Sequence, residues 1–248
     1  MIAELAMYDR PETAASNDRF WDEIRTRLAL NTGQAPQKLC RGGDTMQNWL
    51  SPTLLFSQTC GLPYRAFLHD KVTLIGTPDY GLPGVAAGFY YSVFITRSDD
   101  PRTRLAEFDG ARFAYNETLS QSGWAAPCIH AASIGLKFGP CLESGGHVSS
   151  ARAVAAGLAD FAALDAVTWA MIGKWDRFAR DLKVIDRTTA TPGLPYISAA
   201  GADRAALFDA TAGAISALSS ADREILMLRG IVDIPAEAYL ALENPSSN

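Results

Sequence analysis

Two short stretches of this sequence combine residue types and spacing that suit the binding of an anion. The first, Asn116-Glu117-Thr118-Leu119-Ser120-Gln121-Ser122-Gly123, follows a β-rich run, Arg112 to Tyr115, and precedes apolar residues at helical spacing. A helix start presents N–H groups without partners and a partial positive charge, and serine hydroxyls there add further donors. The second stretch, Ser144-Gly145-Gly146-His147-Val148-Ser149, again lies between a strand and a helix. Its glycines permit close backbone approach, and His147 at the helix start can donate to an anion. Each stretch also has an ordinary structural reading, since serine is a preferred helix cap and a histidine near a helix start often bonds to its own fold. Their occurrence in neighbouring strand–helix units favours a ligand, because the carboxyl ends of parallel strands open on one edge of the sheet. Asp165 ends the run Asp160 to Leu164 and would emerge on that edge, either as a ligand contact or as the cap of the next helix. An ionised carboxylate repels an anion, so a contact there requires a protonated ligand, an amine or a bridging cation. Earlier in the chain, Tyr8 and Ser57-Gln58-Thr59 finish β-rich runs in the corresponding way and would form an opposite wall.

The elements that must position these residues follow from the apolar pattern. A short β-rich run followed by apolar residues at helical spacing recurs along the chain, which is the pattern of parallel strands with crossover helices and makes the fold α/β. The run Ile2 to Tyr8 predicts a strand, and Phe20, Trp21, Ile24 and Leu28 predict one face of the helix after it, stopped at Asn31-Thr32-Gly33. Further strands are predicted at Lys38 to Arg41, at Thr53 to Phe56 with the polar tip Ser57 to Gly61, and at Val72 to Ile75, with a helix through Tyr64 to Leu68. A Gly/Pro-rich loop, Thr77 to Gly88, leads into Phe89 to Thr96, read as the crossing into a second lobe. There, strands Arg112 to Tyr115, Cys141 to Glu143 and Asp160 to Leu164 alternate with helices Gly123 to Ile134 and His147 to Leu158, and another helix carries Trp169 and Met171. Leu182 to Ile185 predicts a strand, and Tyr196 to Ser198, after Thr191-Pro192-Gly193-Leu194-Pro195, the return crossing. From Asp203 onward the chain reads as helical, with Leu207, Ala210, Ala214 and Leu218 on one face, Ile225, Leu226 and Leu228 on another, and a polar tail from Glu243 to Asn248. The expected lobes are residues 1–92 with 196–248, and residues 93–195.

Composition narrows the function. The chain has 248 residues, 48% hydrophobic and 20% charged, which is ordinary for globular proteins and enough for two small domains. A formal charge of −5 and the absence of a long Lys/Arg run argue against nucleic acid as a partner. No apolar stretch approaches the roughly 18 to 20 residues of a membrane span. The start, with Glu4 and Asp9, lacks the basic and then apolar pattern of a secretory signal, so the expected place is cytoplasmic as encoded, or periplasmic by a route the sequence does not display. Cys40, Cys60, Cys128 and Cys141 stand at long, irregular spacings without C-x-x-C, so neither a zinc site nor a redox pair is written here. Buried free thiols are expected, and no cofactor or metal.

In order along the chain, Met7-Tyr8-Asp9, Phe56-Ser57-Gln58-Thr59-Cys60-Gly61, Gly76-Thr77-Pro78, Phe113-Ala114-Tyr115-Asn116, Ser120-Gln121-Ser122-Gly123, Ser144-Gly145-Gly146-His147, Arg152-Ala153-Val154 and Ala163-Leu164-Asp165 resemble the landmarks of the phosphate/phosphite/phosphonate substrate-binding proteins of ABC importers. The likeness covers roughly Ile2 to Ser198. It implies a type II periplasmic-binding fold: a clamshell of two lobes, each a mostly parallel sheet flanked by helices, joined by two crossing strands and closing on ligand by a hinge. By that resemblance Ser120, Gln121 and Ser122, next to Asn116, would hold a small oxyanion, His147 would add a hydrogen bond, and Asp165 would face the ligand's other end. Tyr8, Ser57, Gln58 and Thr59 would complete the site, and the partner would be an ABC permease. The sequence departs from the family at Gln121, where the motif commonly has threonine.

Two other functions compete. A sensor or accessory protein would use the same pocket and pass its closure to another protein. An enzyme acting on a small phosphorylated or sulfonated compound would use His147 and Asp165 as acid and base, or Cys60 as nucleophile, although no histidine is fixed beside Cys60 by spacing. The chain contains no G-x-S-x-G, G-x-x-x-x-G-K-[ST], H-E-x-x-H or G-x-G-x-x-G. Binding without chemistry is therefore the leading expectation.

Overall fold

The face read at Phe20, Trp21, Ile24 and Leu28 is the face that helix α1 (Ala14–Thr32) buries, each of the four being at most 5% exposed. The computed structural model describes residues 1–32 and 35–245; Gly33, expected to stop α1, and the last three residues of the tail lie outside the described residues. The chain folds into two compact units, Met1–Phe89 with Pro192–Ala241, and Tyr90–Thr191 with the segment from Leu242. The sequence places these passages after residues 92 and 195 instead.

In the first unit, β1 (Ile2–Ala3) pairs in parallel with β2 (Leu54–Gln58), α2 (Thr45–Trp49) lies between them in sequence, and the short helix α3 (Gly61–Pro63) continues as a π-helical turn, Tyr64–Leu68, before β3 (Val72–Asp79). The chain passes into the second unit within β4 (Phe89–Tyr90), and β5 (Ser92–Arg97) follows. It continues with β6 (Phe113–Tyr115), a π-helical turn Gln121–Ala125 running into α4 (Ala126–Ser133), β7 (Cys141–Glu143), α5 (His147–Ala155), β8 (Phe161–Asp165), α6 (Ala166–Trp175) and β9 (Leu182–Arg187). After β10 (Thr191–Pro192) the chain returns as β11 (Tyr196–Ala199), α7 (Arg204–Ala217), α8 (Ser220–Leu226), β12 (Gly230–Val232) and α9 (Ala236–Leu240).

Each unit is built on one five-stranded sheet, ordered β1-β2-β11-β3-β12 in the first and β7-β6-β8-β5-β9 in the second. In the first, β11 runs against both β2 and β3, and β12 against β3. In the second, β6 is parallel to β7 and to β8, while β5 runs against β8 and β9, so four of the five strands share a direction. Helix α1 packs with α7 on one face of the first sheet, around Phe56, Ile75 and Tyr196, and Trp49, Tyr64, Leu68 and Tyr239 fill the other. The second unit has its own aromatic core, in which Phe113 stacks on Phe138 at 4.0 Å and meets Phe161 at 5.0 Å.

Several expectations are corrected. No strand forms at Lys38 to Arg41; Cys40 N donates to Ala3 O at 2.7 Å, but Gly42 and Gly43 follow at φ +122° and +90°, a left-handed path that a strand cannot take. Ile2 to Tyr8 is not one strand, because pairing with β2 stops near Glu4 and Ala6–Tyr8 form a 3-10 turn. Gly230–Val232, read as helical, instead extends the sheet along Thr77 to Asp79, which carries β3 beyond Ile75. The second unit's first helix begins at Gln121, two residues before the expected start, because Ser120 is its cap. The four thiols are free but not buried: Cys40 and Cys141 are exposed and the other two half-buried, Cys141 because β7 is a sheet edge with all three residues exposed.

One polar contact ties α8 to α1. Asp222 is 6% exposed and accepts from the Arg19 guanidinium, from Ser16 Oγ at 2.7 Å and from Ser219 Oγ at 2.7 Å, which together hold its carboxyl well below the ordinary carboxylate range. Because the folded-state value is depressed, the contribution is present above the unfolded pKa of about 3.9 and is lost as pH falls toward the folded value. With Arg19 half exposed, Asp222→Asn is expected to cost only about 1–2 kcal/mol at neutral pH. Urea unfolding at pH 7 and at pH 3 checks this, and the difference between variant and parent should shrink in acid.

Candidate functional site

Strands β6, β7 and β8 lie side by side and parallel, with Phe113 opposite both Cys141 and Phe161, so their carboxyl ends share one edge of the second sheet. After β6 the chain reaches Asn116 and Ser120. Ser120 has extended backbone and its Oγ accepts from Gly123 N at 2.9 Å, so it is the N-cap of the π turn that leads into α4. Single π turns recur at functional sites because they widen the helix and shift side chains out of register. Ser120, Gln121 and Ser122 are 2%, 2% and 3% exposed.

After β7, Gly145 takes a left-handed φ of +79° and α5 opens at His147. His147 Nε2 stands 2.9 Å from Ser122 Oγ, joining the two helix starts directly. Gly123 makes a third contact possible. A Cβ there would lie 1.8 Å from Asn116 Oδ1 and 3.2 Å from His147 Cε1, so glycine is what lets the Asn116 side chain sit against this helix start beside His147. Asn116 Oδ1 is sealed from solvent without a hydrogen-bond partner, and His147 Nδ1 is likewise sealed, with the Ala163 backbone as the imidazole's other polar neighbour. Although His147 as a residue is only partly buried, its ring is enclosed, and desolvation pushes the imidazole pKa down to about 4 against the upward pull of the Ala163 backbone. The ring is therefore neutral at physiological pH.

Asp165 closes β8, is 2% exposed, and its Oδ1 accepts from Thr168 N at 2.9 Å, so it serves as the cap of α6 at the end of the strand beside β6. Thus Asn116, Ser120, Gln121, Ser122 and His147 are brought together, with Asp165 ending the adjoining strand. The arrangement offers backbone and hydroxyl donors at a helix start, as an oxyanion needs. Ser122 and His147 would be two parts of a triad, and among the described residues no carboxylate is hydrogen-bonded to Nδ1.

In the first unit, the remaining expected residues are engaged with their own fold. Ser57 is fully buried, donates to Glu4 Oε1 at 3.0 Å and accepts from Trp49 Nε1 at 3.0 Å. Gln58 Nε2 donates to Tyr80 OH and to Leu194 O, each at 3.0 Å, and Thr59 is buried with its N–H given to Pro195 O. Tyr8 ends a 3-10 turn and sets its ring edge-on to Tyr80 at 5.1 Å. Tyr80 and Glu4 were not singled out from sequence; a lone tyrosine after β3 and a carboxylate in an apolar run give no signal until the sheet brings them beside Gln58 and Ser57.

The model of the family described as the periplasmic substrate-binding protein of phosphonate ABC transporters matches residues 56–234 of this chain. The chain belongs to that family. Its members are substrate-binding components rather than enzymes, and this protein is a solute-binding protein of the phosphonate type. The fold agrees. PhnD1 from Prochlorococcus marinus in complex with methylphosphonate superposes with a TM-score of 0.73 at 15% identity, covering 96% of this chain and 94% of that one. A Xanthomonas citri protein bound to chloride ion gives 0.70 at 17% identity over 96% and 92%. The binding-protein component of an ABC phosphonate transporter from Pseudomonas aeruginosa gives 0.63 at 18% identity over 90% and 77%. A sequence search of curated proteins finds no significant match. The family is typically periplasmic, and among the described residues no helix is long and apolar enough to cross a membrane.

The neutral imidazole has a measurable signature. By NMR, His147 should titrate with a midpoint near pH 4 and not near the ordinary 6.5. Because the unfolded chain then binds the extra proton first, stability should fall as pH drops from about 6.5 toward 4, and His147→Gln should remove that component. A midpoint near 6.5 would mean that the ring is solvated.

Proposed function

We propose that the protein captures a small phosphonate-type oxyanion, with phosphate, phosphite and methylphosphonate as the nearest candidates, at the start of the π turn in the second unit. Ser120 orients the helix start, Ser122 Oγ and the backbone N–H groups donate to the anion, and His147 fixes the Ser122 hydroxyl. The observation that carries this reading is the capped helix start at which Ser122 Oγ, 2.9 Å from His147 Nε2, stands with the sealed Asn116 Oδ1, an acceptor without a hydrogen-bond partner. Buried polar atoms without partners are uncommon, and a protonated oxyanion would satisfy this one. Family membership supports the ligand class, as does the complex of PhnD1 with methylphosphonate.

Asp165 would select among ligands by charge. Its carboxylate disfavours a dianion nearby and favours a protonated oxyanion or one bearing an amine. Tyr8, Ser57, Gln58 and Thr59 would contribute from the first unit chiefly by shaping their end of its sheet, since the Ser57 and Gln58 side chains already bond within that unit. An ABC permease would be the partner that receives the ligand.

Calorimetric titration with phosphate, phosphite, methylphosphonate and aminoethylphosphonate tests the proposal. At least one should bind one-to-one, and Ser122→Ala should weaken it by about tenfold or more, as expected for a hydrogen bond to a charged group. Absence of heat and of a thermal shift with all four would overturn the ligand class. Unchanged affinity in Ser122→Ala would place binding elsewhere on the protein.

A further inference from the structure

Cys128 and Cys141 share no short motif, yet the fold turns both thiols onto one side of the second sheet. Cys141 opens β7, the exposed edge strand, and stands opposite Phe113 in a parallel pair, as Glu143 stands opposite Tyr115. Facing residues share a side of the sheet and side chains alternate along each strand, so Phe113, Tyr115, Cys141 and Glu143 project together. Tyr115 OH donates to Glu143 Oε2 at 3.0 Å, as that arrangement requires. Helix α4 and the π turn before it cover this side: the Trp124 ring lies 4.5 Å from that of Tyr115, and Ala131 packs in one cluster with Phe113. On α4, His130 reaches the far strands, its ring 5.4 Å from that of Phe94 in β5 and its Nε2 3.2 Å from Asp186 Oδ2 in β9. Cys128 precedes His130 by two positions, about 200° around the helix, and therefore faces the opposite way, toward β6 and β7. Its half-buried thiol sits between the helix and the edge where Cys141 is exposed.

We propose that Cys128 and Cys141 are a redox-responsive pair, which a small disulfide such as oxidised glutathione converts to an intramolecular disulfide that fastens α4 to β7. Cys141, the exposed partner, loses its proton and its sulfur attacks one sulfur of the oxidant, whose S–S bond breaks; one glutathione thiolate leaves and takes up a proton. Cys128 then loses its proton and attacks Cys141 Sγ, which forms the protein disulfide and releases the second glutathione as its thiol. The two cysteines thus give up two electrons and two protons, which end on two molecules of reduced glutathione. Cys141 Sγ has a weak contact to Gly139 O at 3.5 Å, which the first step can give up. Burial pushes the Cys128 thiol up to about 12, and Cys141 adds to the rise, in agreement with their facing placement. The link would brace the edge described above from behind, since the turn at Gln121–Ala125 runs into α4 and β7 leads to His147. It would be closed in an oxidising compartment and open in a reducing one.

The test incubates the full chain in reduced or oxidised glutathione and follows it by non-reducing peptide mass mapping and by thermal unfolding. In oxidised glutathione a peptide pair joined through Cys128 and Cys141 should appear. The melting temperature should rise by about 5 °C or more and fall back on addition of dithiothreitol, as expected for a cross-link. Mapping distinguishes this pair from Cys40 and Cys60, which belong to the first unit. Cys141→Ser, at an exposed edge position, should fold as the parent does, form no such pair and lose the rise. Both thiols remaining free, Cys141 remaining as a mixed disulfide with glutathione, a linked protein that melts no higher than the reduced one, or an equal rise in Cys141→Ser would each overturn the proposal.

Discussion

The candidate oxyanion site depends on how closely a side-chain oxygen can approach a helix start. Asn116 Oδ1 occupies the space into which any Cβ at residue 123 would project, and His147 Cε1 closes the same space from the neighbouring helix. With glycine at 123, the two loops after β6 and β7 interlock through the Ser122–His147 hydrogen bond, and the helix start becomes a shared feature of two strand–helix units. With any larger residue the Asn116 side chain must turn aside and the His147 ring must shift, which would loosen the polar atoms now sealed around the turn. Parallel pairing of β6 with β7 and β8 is the condition for all of this, since it ends the three strands on one edge.

The electrostatics of that edge follow from burial more than from charge. Desolvation keeps His147 neutral, the serines are neutral, and Asp165 spends one oxygen on the first turn of α6. An anion held here would rely on oriented N–H and O–H groups, with helix polarity supplying the positive potential. Such a site avoids burying a lysine or arginine and leaves no unpaired cation when the ligand departs. It also suits a protein with a formal charge of −5, which has no broad basic field to concentrate anions at its surface.

Local patterns in the sequence carried the architecture well wherever local physics decided it. The α1 face, the α7 face through Leu207, Ala210, Ala214 and Leu218, and the junctions at Ser120 and His147 all follow from 3.6-residue periodicity and cap chemistry, and all are observed. Failures occurred where a distant partner decided the outcome. Gly230–Val232 is a strand only because the outer half of β3 offers an edge to pair with, and its own residues do not announce this. Lys38 to Arg41 has strand-like composition, yet Arg41 is drawn to Asp9 and Asp18 and two left-handed glycines follow. Ser57 reads as an exposed tip, but the alternation of β2 turns it inward onto Glu4, a carboxylate more than fifty residues away in sequence. No spacing rule connects such a pair before the sheet exists.

The contrast between the two units is the basis for assigning the proposed anion site to the second. Both have a strand that ends in a polar tip and a helix that includes a π turn. In the first unit the cap position is Cys60, which makes no side-chain cap bond, and the tip's side chains are drawn into the unit: Ser57 to Glu4 and Trp49, Gln58 to Tyr80 and Leu194. In the second, the cap is a serine whose hydroxyl orders the turn, and the neighbouring Ser122 meets only a histidine that its surroundings keep neutral. A hydroxyl at the cap fixes the direction of the first helical N–H groups, whereas a thiol is a much weaker acceptor. The same strand–helix junction is thus engaged with internal structure in one unit and carries the proposed anion site in the other, a difference set by Cys60 against Ser120 and by Glu4, whose buried carboxyl claims the Ser57 hydroxyl.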